Sequence, residues 1–325
     1  MEWKHLAGIS ALCNTLGISE SDYRLARSQI KRVYIQTIKR DIKSGKSRDI
    51  CYPRPGSMLQ AVQHLLKDNI LAKLPILSEI RGYLLESHNI TTASDVCGHA
   101  YVGKVDISKF HPSISEACVS AVLSEHGLSP SFAREIARMV TYEGRVVQGA
   151  ATSNHVANLV MDSLLRRDVK AFADRCGVGF RNFGDDVAFF GPDAAAVRAC
   201  VKRAKKAITN LGFQSNDKCR DSEHRGSGRK FVGCATGREL PDYPRIQYRA
   251  LRKELRALVQ SERLRCGPKP LTSKEQLNSL KHRIVYVKRL NHTKARRLMD
   301  IFYRLCAARR EHHVGVLNMP MLEQG

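Results

Sequence analysis

The chain has 325 residues and carries 54 Lys and Arg against 31 Asp and Glu, a formal net charge of +23. This excess predicts a polyanionic partner, and nucleic acid fits better than a membrane surface because the basic residues are spread along the chain. No apolar run approaches the ~20 residues that span a bilayer, and the N-terminus lacks a signal-peptide pattern, so the expected location is the cytoplasm. The ten cysteines form no C-x-x-C pair, so we expect reduced thiols rather than a zinc site.

The first hundred residues alternate helical and extended patterns. Residues 1–35 carry apolar side chains near helical spacing and predict an N-terminal helical extension. Residues 33–35 and 50–52 predict the two strands of a hairpin with a basic tip. A helix is predicted to begin at Ser57, because apolar residues then recur on one face.

Three further elements and a basic region are predicted after residue 100. A strand that begins near residue 101 carries Asp106 at its C-terminal end, where catalytic groups often lie. A helix capped by Thr152 or Ser153 runs to about residue 172. Another helix extends from Asp193 as N-cap to Gly212 as C-cap. Beyond about residue 238 the sequence is helical and strongly basic, which predicts a separate helical domain suited to binding nucleic acid.

Asp185 and Asp186 form a carboxylate pair between two apolar runs that predict short strands, and Gly184 permits a tight turn between them. Adjacent carboxylates repel unless a cation neutralises them, although an isolated pair is more typical of an ordinary turn. Asp106 supplies a third carboxylate earlier in the chain. Hard oxygen ligands suit Mg²⁺, and nucleotidyl transfer uses two such ions. The order of these carboxylates therefore predicts a two-metal site like that of a polymerase palm.

Several short segments resemble, in chain order, the motifs of one protein family. They are residues 48–53 (Arg-Asp-Ile-Cys-Tyr-Pro), 106–114, 148–153 (Gln-Gly-Ala-Ala-Thr-Ser), 183–186 (Phe-Gly-Asp-Asp), 212–218 and 230–233 (Lys-Phe-Val-Gly). The chain resembles the reverse transcriptases of bacteria, particularly those of retrons and of related defence-associated and abortive-infection groups, over roughly residues 33–305. Each motif alone is weak, but their common order and spacing make the resemblance specific.

The resemblance implies an α+β right-hand polymerase fold with fingers, a palm built on an antiparallel sheet, and a helical thumb. It predicts an N-terminal helical extension over residues 1–35 and fingers over 36–105. The palm with its catalytic carboxylates is expected over 106–237, and a basic helical thumb over 238–325. No fused nuclease or integrase is expected, because little sequence follows the thumb.

The resemblance also implies roles for individual residues. Asp106, Asp185 and Asp186 are the implied catalytic residues, and with the main-chain carbonyl of Ile107 they would bind two Mg²⁺ ions, for which Mn²⁺ could substitute. The implied nucleotide-binding residues are Arg48, Lys46, Phe110, His111, Gln148, Gly149 and Lys218. The implied primer grip consists of Phe231, Val232 and Gly233.

Some positions depart from the family's motifs. Five residues after Asp106 the family usually has Phe or Tyr, a steric gate against a ribose 2′-OH, and this chain has His111. An imidazole is smaller and can hydrogen-bond, so we hypothesise a loosened rejection of ribonucleotides, although a flat ring could also serve as the same wall. Asn154 replaces the usual proline, which we interpret as a backbone adjustment. The retron hallmarks Asn-Ala-x-x-His and Val-Thr-Gly are absent, which leaves open the choice between retron and other defence-associated groups.

The leading functional hypothesis is an RNA-directed DNA polymerase that copies a structured RNA in a bacterial retron or antiviral defence system. Its expected partners are an RNA template, the DNA product, dNTPs and an effector protein, with no membrane. An RNA-dependent RNA polymerase is an alternative, because Gly-Asp-Asp is typical of that class, but a second aspartate expected shortly after Asp106 is missing. A non-catalytic RNA-binding scaffold is the other alternative, against which the three retained carboxylates argue.

Overall fold

The structure is a computed structural model that describes residues 5–40, 47–84, 87–216, 220–224, 226, 228–267 and 269–317. Its contacts divide the chain into two compact units, Met1–Arg225 and Gly226–Gly325. The first unit combines helices with a sheet, and the second is mainly helical. The mixed helix-and-sheet class predicted from the sequence is therefore confirmed. The predicted subdomain boundaries after residues 35, 105 and 237 stay predictions.

The described part of the first unit contains a series of α-helices. They are α1 (Gly8–Leu16), α2 (Glu20–Gln29), α3 (Met58–Asn69), α4 (Asn89–Val96), α5 (Phe110–Ser113), α6 (Glu116–Glu125), α7 (Pro130–Val140), α8 (Ser153–Leu165), α9 (Ala171–Arg175) and α10 (Ala194–Asn210). Ser57 caps α3 and Asp193 caps α10 through side chains that accept first-turn N–H groups, as predicted. Gly212, with φ 79°, follows the end of α10.

The predicted side-chain cap of α8 is wrong. Thr152 occupies the N-cap position, but its side chain makes no capping hydrogen bond. Its backbone is right-handed helical (φ −84°, ψ −20°), whereas capping side chains usually project from an extended residue. A π-helical turn, Arg166–Lys170, joins α8 to α9, so the helical path continues past residue 172 to Arg175.

The first unit contains a four-stranded antiparallel sheet in the order β4-β5-β3-β6. Its strands are β3 (Tyr101–Asp106), β4 (Gly179–Phe183), β5 (Asp186–Gly191) and β6 (Arg220–His224). The β5 side chains after Asp186 are all buried, and α10 packs across β3, β5 and β6. The apolar runs around the aspartate pair therefore form the predicted hairpin inside the core, which fixes the position of its tip.

A separate two-stranded hairpin lies between α2 and α3. Its strands, β1 (Tyr34–Arg40) and β2 (Ser47–Pro53), pair in antiparallel register from Tyr34 with Pro53 to Arg40 with Ser47. The predicted hairpin is confirmed. Its predicted basic tip, with Lys46, lies outside the described residues.

The second unit consists of a short β-hairpin followed by three long helices. These elements are β7 (Lys230–Phe231), β8 (Cys234–Ala235), α11 (Arg245–Arg263), α12 (Lys274–Leu290) and α13 (His292–Leu317). The helices share an apolar core that includes Leu251, Leu255, Ile284, Leu298 and Leu305, which confirms the predicted helical character beyond residue 238. Within the described part of the chain, none of the helices has the length and apolarity needed to cross a bilayer.

Candidate active site

The three predicted catalytic aspartates lie at one end of the four-stranded sheet. Asp106 is the last residue of β3 and pairs in register with Asp186, the first residue of β5. Asp185 belongs to the turn between β4 and β5, and its carbonyl oxygen accepts the N–H of Ile107 at 3.2 Å. The side chain of Asp185 is exposed, whereas Asp106 and Asp186 are half-buried. Asp106 and Asp186, 80 positions apart in sequence, are thus neighbours across a pair of strands.

The main chain around Ile107 carries the carbonyl oxygen that was predicted as a further ligand. On either side of Ile107, the backbone is hydrogen-bonded to residues 214–216. The N–H of Asn216 donates to the carbonyl oxygen of Asp106 at 2.7 Å, and the N–H of Ser108 donates to the carbonyl oxygen of Gln214 at 2.8 Å. Since the N–H and C=O of a strand residue point the same way, the Ile107 carbonyl faces the side on which Asp185 lies. Carboxylate and carbonyl oxygens are ligands that suit Mg²⁺ or Mn²⁺, so the donor chemistry fits a divalent cation.

The side chains themselves are not gathered into a finished metal cluster. Among the described residues, no three His, Cys, Asp or Glu side chains converge closely enough to hold an ion. Carboxylates repel one another, so a site of this kind is completed by the cation that it binds. The fit to a divalent ion therefore depends on the backbone positions of Asp106, Asp185 and Asp186 and on the chemistry of their donor atoms.

Asn182 shapes the turn that carries the aspartate pair. Its side chain is fully buried, and its Nδ2 atom donates to the carbonyl oxygens of Gly184 (2.8 Å) and Asp186 (3.1 Å). Gly184 adopts a left-handed conformation with φ 65°, which glycine tolerates without strain. The buried amide thus replaces backbone bonds that the tight turn cannot make. Only the glycine, and not Asn182, was identified from the sequence.

A cavity of about 980 Å³ opens in front of Asp185. Its walls come from the β1–β2 hairpin, the start of α5 and the loop before α8. Four of the predicted nucleotide-binding residues line it, namely Arg48, Phe110, His111 and Gln148. Its volume is at the upper end of the range for small-molecule sites. Lys46 and Lys218 were predicted for the same role but lie outside the described residues.

The Gln148-Gly149 loop is joined directly to strand β2. The N–H of Cys51 donates to the carbonyl oxygen of Gln148 at 2.8 Å. Gly149 has φ 129°, and a Cβ there would lie 2.8 Å from Ile50 Cγ2 and 3.1 Å from the Cys51 carbonyl oxygen. Any larger residue would separate the loop from the strand, so glycine is required where this wall of the cavity closes.

His111 and Asn154 contact each other through their side chains, with 3.3 Å between Nε2 and Oδ1. The preceding residue, Phe110, is buried edge-on against Phe213, with 5.7 Å between ring centroids. Burial lowers the pKa of His111, although the hydrogen bond to Asn154 and the charge of Asp185 act in the opposite direction. The net lowering of the His111 pKa favours the neutral imidazole. The interpretation of Asn154 as a backbone adjustment was incomplete, because its side chain also bonds to His111.

Comparison with known proteins shows which proteins the chain is similar to. No family model matches the chain. It is 26% identical over 262 residues to the retron Mx65 reverse transcriptase of Myxococcus xanthus, covering 75% of this chain and 59% of that protein. The retron Mx162 enzyme of the same organism is 24% identical over 284 residues (78% and 57%), and the retron Ec86 enzyme of Escherichia coli is 23% identical over 205 residues (62% and 63%). The chain is related to the bacterial retron-like reverse transcriptases.

This similarity confirms the predicted resemblance to bacterial retron-like reverse transcriptases. The chain spans about three fifths of the length of the curated relatives that it matches.

The predicted primer grip lies in the second unit. Phe231 is buried at the end of β7, and Val232 and Gly233 form the tight turn to β8 with φ values of 43° and 83°. A left-handed Val is uncommon, because a β-branched side chain disfavours that region. The role of this turn in holding a primer stays a prediction.

Sequence reasoning missed Tyr83, which also lines the cavity in front of Asp185. Partial burial raises the pKa of the Tyr83 phenol, and the charges of Asp185 and Asp186 act in the same direction while Arg48 opposes them. Tyr83 therefore lies close enough to Asp185, Asp186 and Arg48 to interact with their charges. The sequence offers only the dipeptide Gly82-Tyr83 as a signal, and a glycine followed by an aromatic residue does not indicate which turn of the chain lies against it.

Proposed function

We propose that this chain is an RNA-directed DNA polymerase that copies a structured RNA into DNA by two-metal nucleotidyl transfer. The observation that carries the proposal is the register pairing of Asp106 with Asp186, with Asp185 at the same edge of the sheet. A nucleotide-sized cavity that includes Arg48 opens there. The relationship to retron-like reverse transcriptases supports the same activity.

The proposed architecture is a right hand. In this proposal the β1–β2 hairpin belongs to the fingers, the four-stranded sheet to the palm, and the helices α11–α13 to the thumb. The excess of positive charge along the whole chain supports contact with a nucleic-acid backbone, because each neutralised phosphate releases counterions. Phe231, Val232 and Gly233 would act as the primer grip.

The proposed metal ligands are Asp106, Asp185, Asp186 and the carbonyl of Ile107. Two Mg²⁺ ions bound there would lower the pKa of the primer hydroxyl and neutralise charge on the triphosphate, and Mn²⁺ could replace them. The planar guanidinium of Arg48 suits bidentate contact with phosphate oxygens. Lys46 and Lys218 are proposed for triphosphate binding from the sequence alone.

The other proposed nucleotide contacts form the walls of the cavity. Gln148 and Gly149 would pack under the templating base and the new base pair, because their loop is held flat against β2. Phe110 supports His111, whose ring would lie beside the sugar of the incoming nucleotide. A neutral imidazole can donate or accept one hydrogen bond at a ribose hydroxyl.

The proposed biological setting is a bacterial retron or another antiviral defence system. The expected partners are a cognate structured RNA as template, the DNA product, dNTPs and an effector protein. The names of the relatives support the retron setting. The effector and the defence role are proposed from the family resemblance alone.

The test compares nucleic acid that co-purifies with the wild type and with the double variant Asp185→Asn/Asp186→Asn. Extension of a DNA primer on an RNA template with Mg²⁺ and dNTPs is measured in parallel. DNA complementary to a bound RNA, present only in the wild type, would support the proposal. Asp193→Asn is the matched control, since Asp193 lies outside the cavity and Asn is also a good helix cap. RNA product from rNTPs without DNA would favour the RNA polymerase alternative, and bound RNA without product from any protein would favour a scaffold.

A further inference from the structure

The segment before α4 forms an additional edge beside the aspartate turn. The N–H of Asn182 donates to the carbonyl oxygen of Glu79 at 2.9 Å, and the N–H of Arg81 donates to the carbonyl oxygen of Asn182 at 2.8 Å. Ile80 and Asn182 thereby form a parallel bridge. The last residues of β4 are thus bonded to this segment just before the chain turns into Asp185. Its position is set by backbone bonds, not by loose packing.

Gly82 continues this segment into direct contact with the turn. A Cβ on Gly82 would lie 2.5 Å from the Gly184 nitrogen and 3.3 Å from the Phe183 carbonyl carbon. Asn158, which is buried on α8, donates from Nδ2 to the Gly82 carbonyl oxygen at 2.6 Å. Glycine is needed because two backbones touch at this point. The underside of the aspartate turn is therefore supported by a buried, hydrogen-bonded frame.

The ring of Tyr83 also packs against this turn. Its ring centroid lies 5.8 Å from that of Phe183, and a Cβ on Gly184 would lie 2.9 Å from the Tyr83 hydroxyl oxygen. Tyr83 is nevertheless 42% exposed and lines the cavity with Asp185 and Arg48. An exposed aromatic ring in this position separates the turn from the space that a nucleotide would occupy.

The backbone of Tyr83 is strained, with φ 59°. Bulky residues rarely adopt this left-handed conformation, and it persists only where the surroundings fix it. Gly82 and the bonds around Asn182 supply that constraint. Strain of this kind concentrates at functional sites, and here it directs a large ring over Gly184.

We propose that Tyr83 is a positioning residue whose ring clamps the Gly184 turn from the cavity side and fixes the direction in which Asp185 presents its carboxylate. The inference rests on the proposed function. Asp185 is exposed, and the three heavy atoms nearest to a Cβ on Gly184 all belong to the Tyr83 side chain. Removing the ring leaves the frame below intact and lets the metal-binding carboxylate move.

The test compares Tyr83→Ala, Tyr83→Phe and the wild type by two independent measurements. Primer extension gives kcat and KM for dNTPs, and a titration of free Mn²⁺ by electron paramagnetic resonance gives the metal affinity without catalysis. We expect Tyr83→Ala to weaken Mn²⁺ binding by about 10-fold and to lower kcat by about 10- to 100-fold, the range for residues that orient metal ligands. KM for dNTPs should change little. Tyr83→Phe retains the ring, so its Mn²⁺ affinity and its kcat should both stay within about 3-fold of the wild-type values, a change well below that range.

Further variants distinguish the effect of losing the ring from the effect of backbone strain, and the Mn²⁺ titration distinguishes both from a failure of the proposed activity. Tyr83→Gly relieves the left-handed strain but removes the ring, so it should behave like Tyr83→Ala. Tyr303→Ala, in the second unit with its side chain 64% exposed, should leave Mn²⁺ affinity unchanged. Wild-type values for Tyr83→Ala, or equal losses in Tyr83→Phe and Tyr83→Ala, would overturn the clamp. If the wild type makes no DNA, the proposed function fails, while the Mn²⁺ titration still decides the inference.

Discussion

The imidazole of His111 and the carboxamide of Asn154 form one polar unit, with His111 Nε2 3.3 Å from Asn154 Oδ1. The contact joins α5, which follows Asp106, to the first turn of α8, which follows the Gln148-Gly149 loop. Both residues depart from the usual motifs of reverse transcriptases, and the two departures are physically coupled. Asn154 restricts the rotation of the His111 ring and occupies one of its two nitrogens.

The first prediction concerns the choice between deoxyribonucleotides and ribonucleotides. Replacing His111 with Phe restores a larger apolar ring at the wall where the sugar is expected, and removes a partner for the 2′-OH. We expect the ratio of kcat/KM for dATP to that for ATP to rise by about 10-fold in His111→Phe, a size typical of one altered contact in a binding pocket. Single-nucleotide incorporation on an RNA template measures this ratio.

Asn154→Ala serves as the companion variant for this prediction. It keeps the imidazole but frees its ring, so sugar selectivity should fall below that of the wild type. If wild type and His111→Phe both exclude ATP strongly and equally, the imidazole acts only as a flat wall and the hypothesis is wrong.

The second prediction concerns Gly149. In Gly149→Ala the added methyl group meets Ile50 and the Cys51 carbonyl, and the residue must also hold φ 129°. Backbone strain and overpacking together should cost about 2 to 4 kcal/mol of unfolding free energy. KM for dNTPs should rise, because the loop moves away from β2. Urea unfolding and primer extension measure the two effects.

Gly144→Ala separates strain from collision in that experiment. Gly144 lies in the same loop with φ 72°, but nothing lies within 4 Å of a Cβ there. Gly144→Ala should lower the unfolding free energy by about 1 kcal/mol because of backbone strain alone, and its KM for dNTPs should not change. Equal effects of the two substitutions would show that contact with β2 does not matter.

Local patterns were sufficient to predict the carboxylate-bearing elements. The strand that ends at Asp106 and the hairpin around Asp185 are short apolar runs bounded by turn signals, and the caps Ser57 and Asp193 depend on a few adjacent residues. The α8 cap failed because Thr152 takes a helical conformation, which the presence of a threonine does not reveal.

The frame around the aspartate turn could not be predicted in this way. Asn158 bonds to Gly82 across 76 positions of sequence, and its polar side chain in α8 resembles an ordinary surface residue until the packing of the core is known. Tyr83 likewise gains its significance only from the segment that the buried asparagines hold. Hydrophobic periodicity reports which face of an element is buried but not which loop lies against it.

The third prediction concerns Asn182. Asn182→Ala leaves the carbonyl oxygens of Gly184 and Asp186 without the amide that bridges them. The loss of two buried hydrogen bonds should lower the unfolding free energy by about 2 to 3 kcal/mol, and kcat should fall because the turn loosens. Urea unfolding and primer extension measure these changes. Asn210→Ala, at the end of α10 and exposed, is the matched control, and equal stability of the two variants would contradict the bridging role.

The fourth prediction concerns pH and a charged cluster away from the cavity. Asp162 is buried on α8 and accepts hydrogen bonds from His126 Nε2 at 3.1 Å and from Arg166 at 2.9 Å. Burial acts to lower the pKa of His126, but the bond to Asp162 raises it overall. Burial acts to raise the pKa of Asp162, but its bonds to His126, Arg166 and the Leu77 N–H lower it overall.

The two shifts give opposite slopes of stability at opposite ends of the pH range. The contribution of His126 is fully present below its ordinary pKa of 6.5 and is lost as the pH rises through the higher pKa of the folded state. The contribution of Asp162 is present above its ordinary pKa of 3.8 and is lost as the pH falls through the lower folded value. Stability from this cluster is therefore greatest between these two values.

His126→Gln is the variant that isolates the histidine. It keeps a donor for Asp162 but cannot gain a proton, so the decline in unfolding free energy between about pH 6 and about pH 8 should become shallower than in the wild type. Asp162→Asn should lose about 3 kcal/mol near pH 6, because it leaves a buried charged partner uncompensated. Urea unfolding across this pH range measures both. An unchanged slope in His126→Gln would show that the histidine does not contribute to the pH dependence, whatever its distance from Asp162.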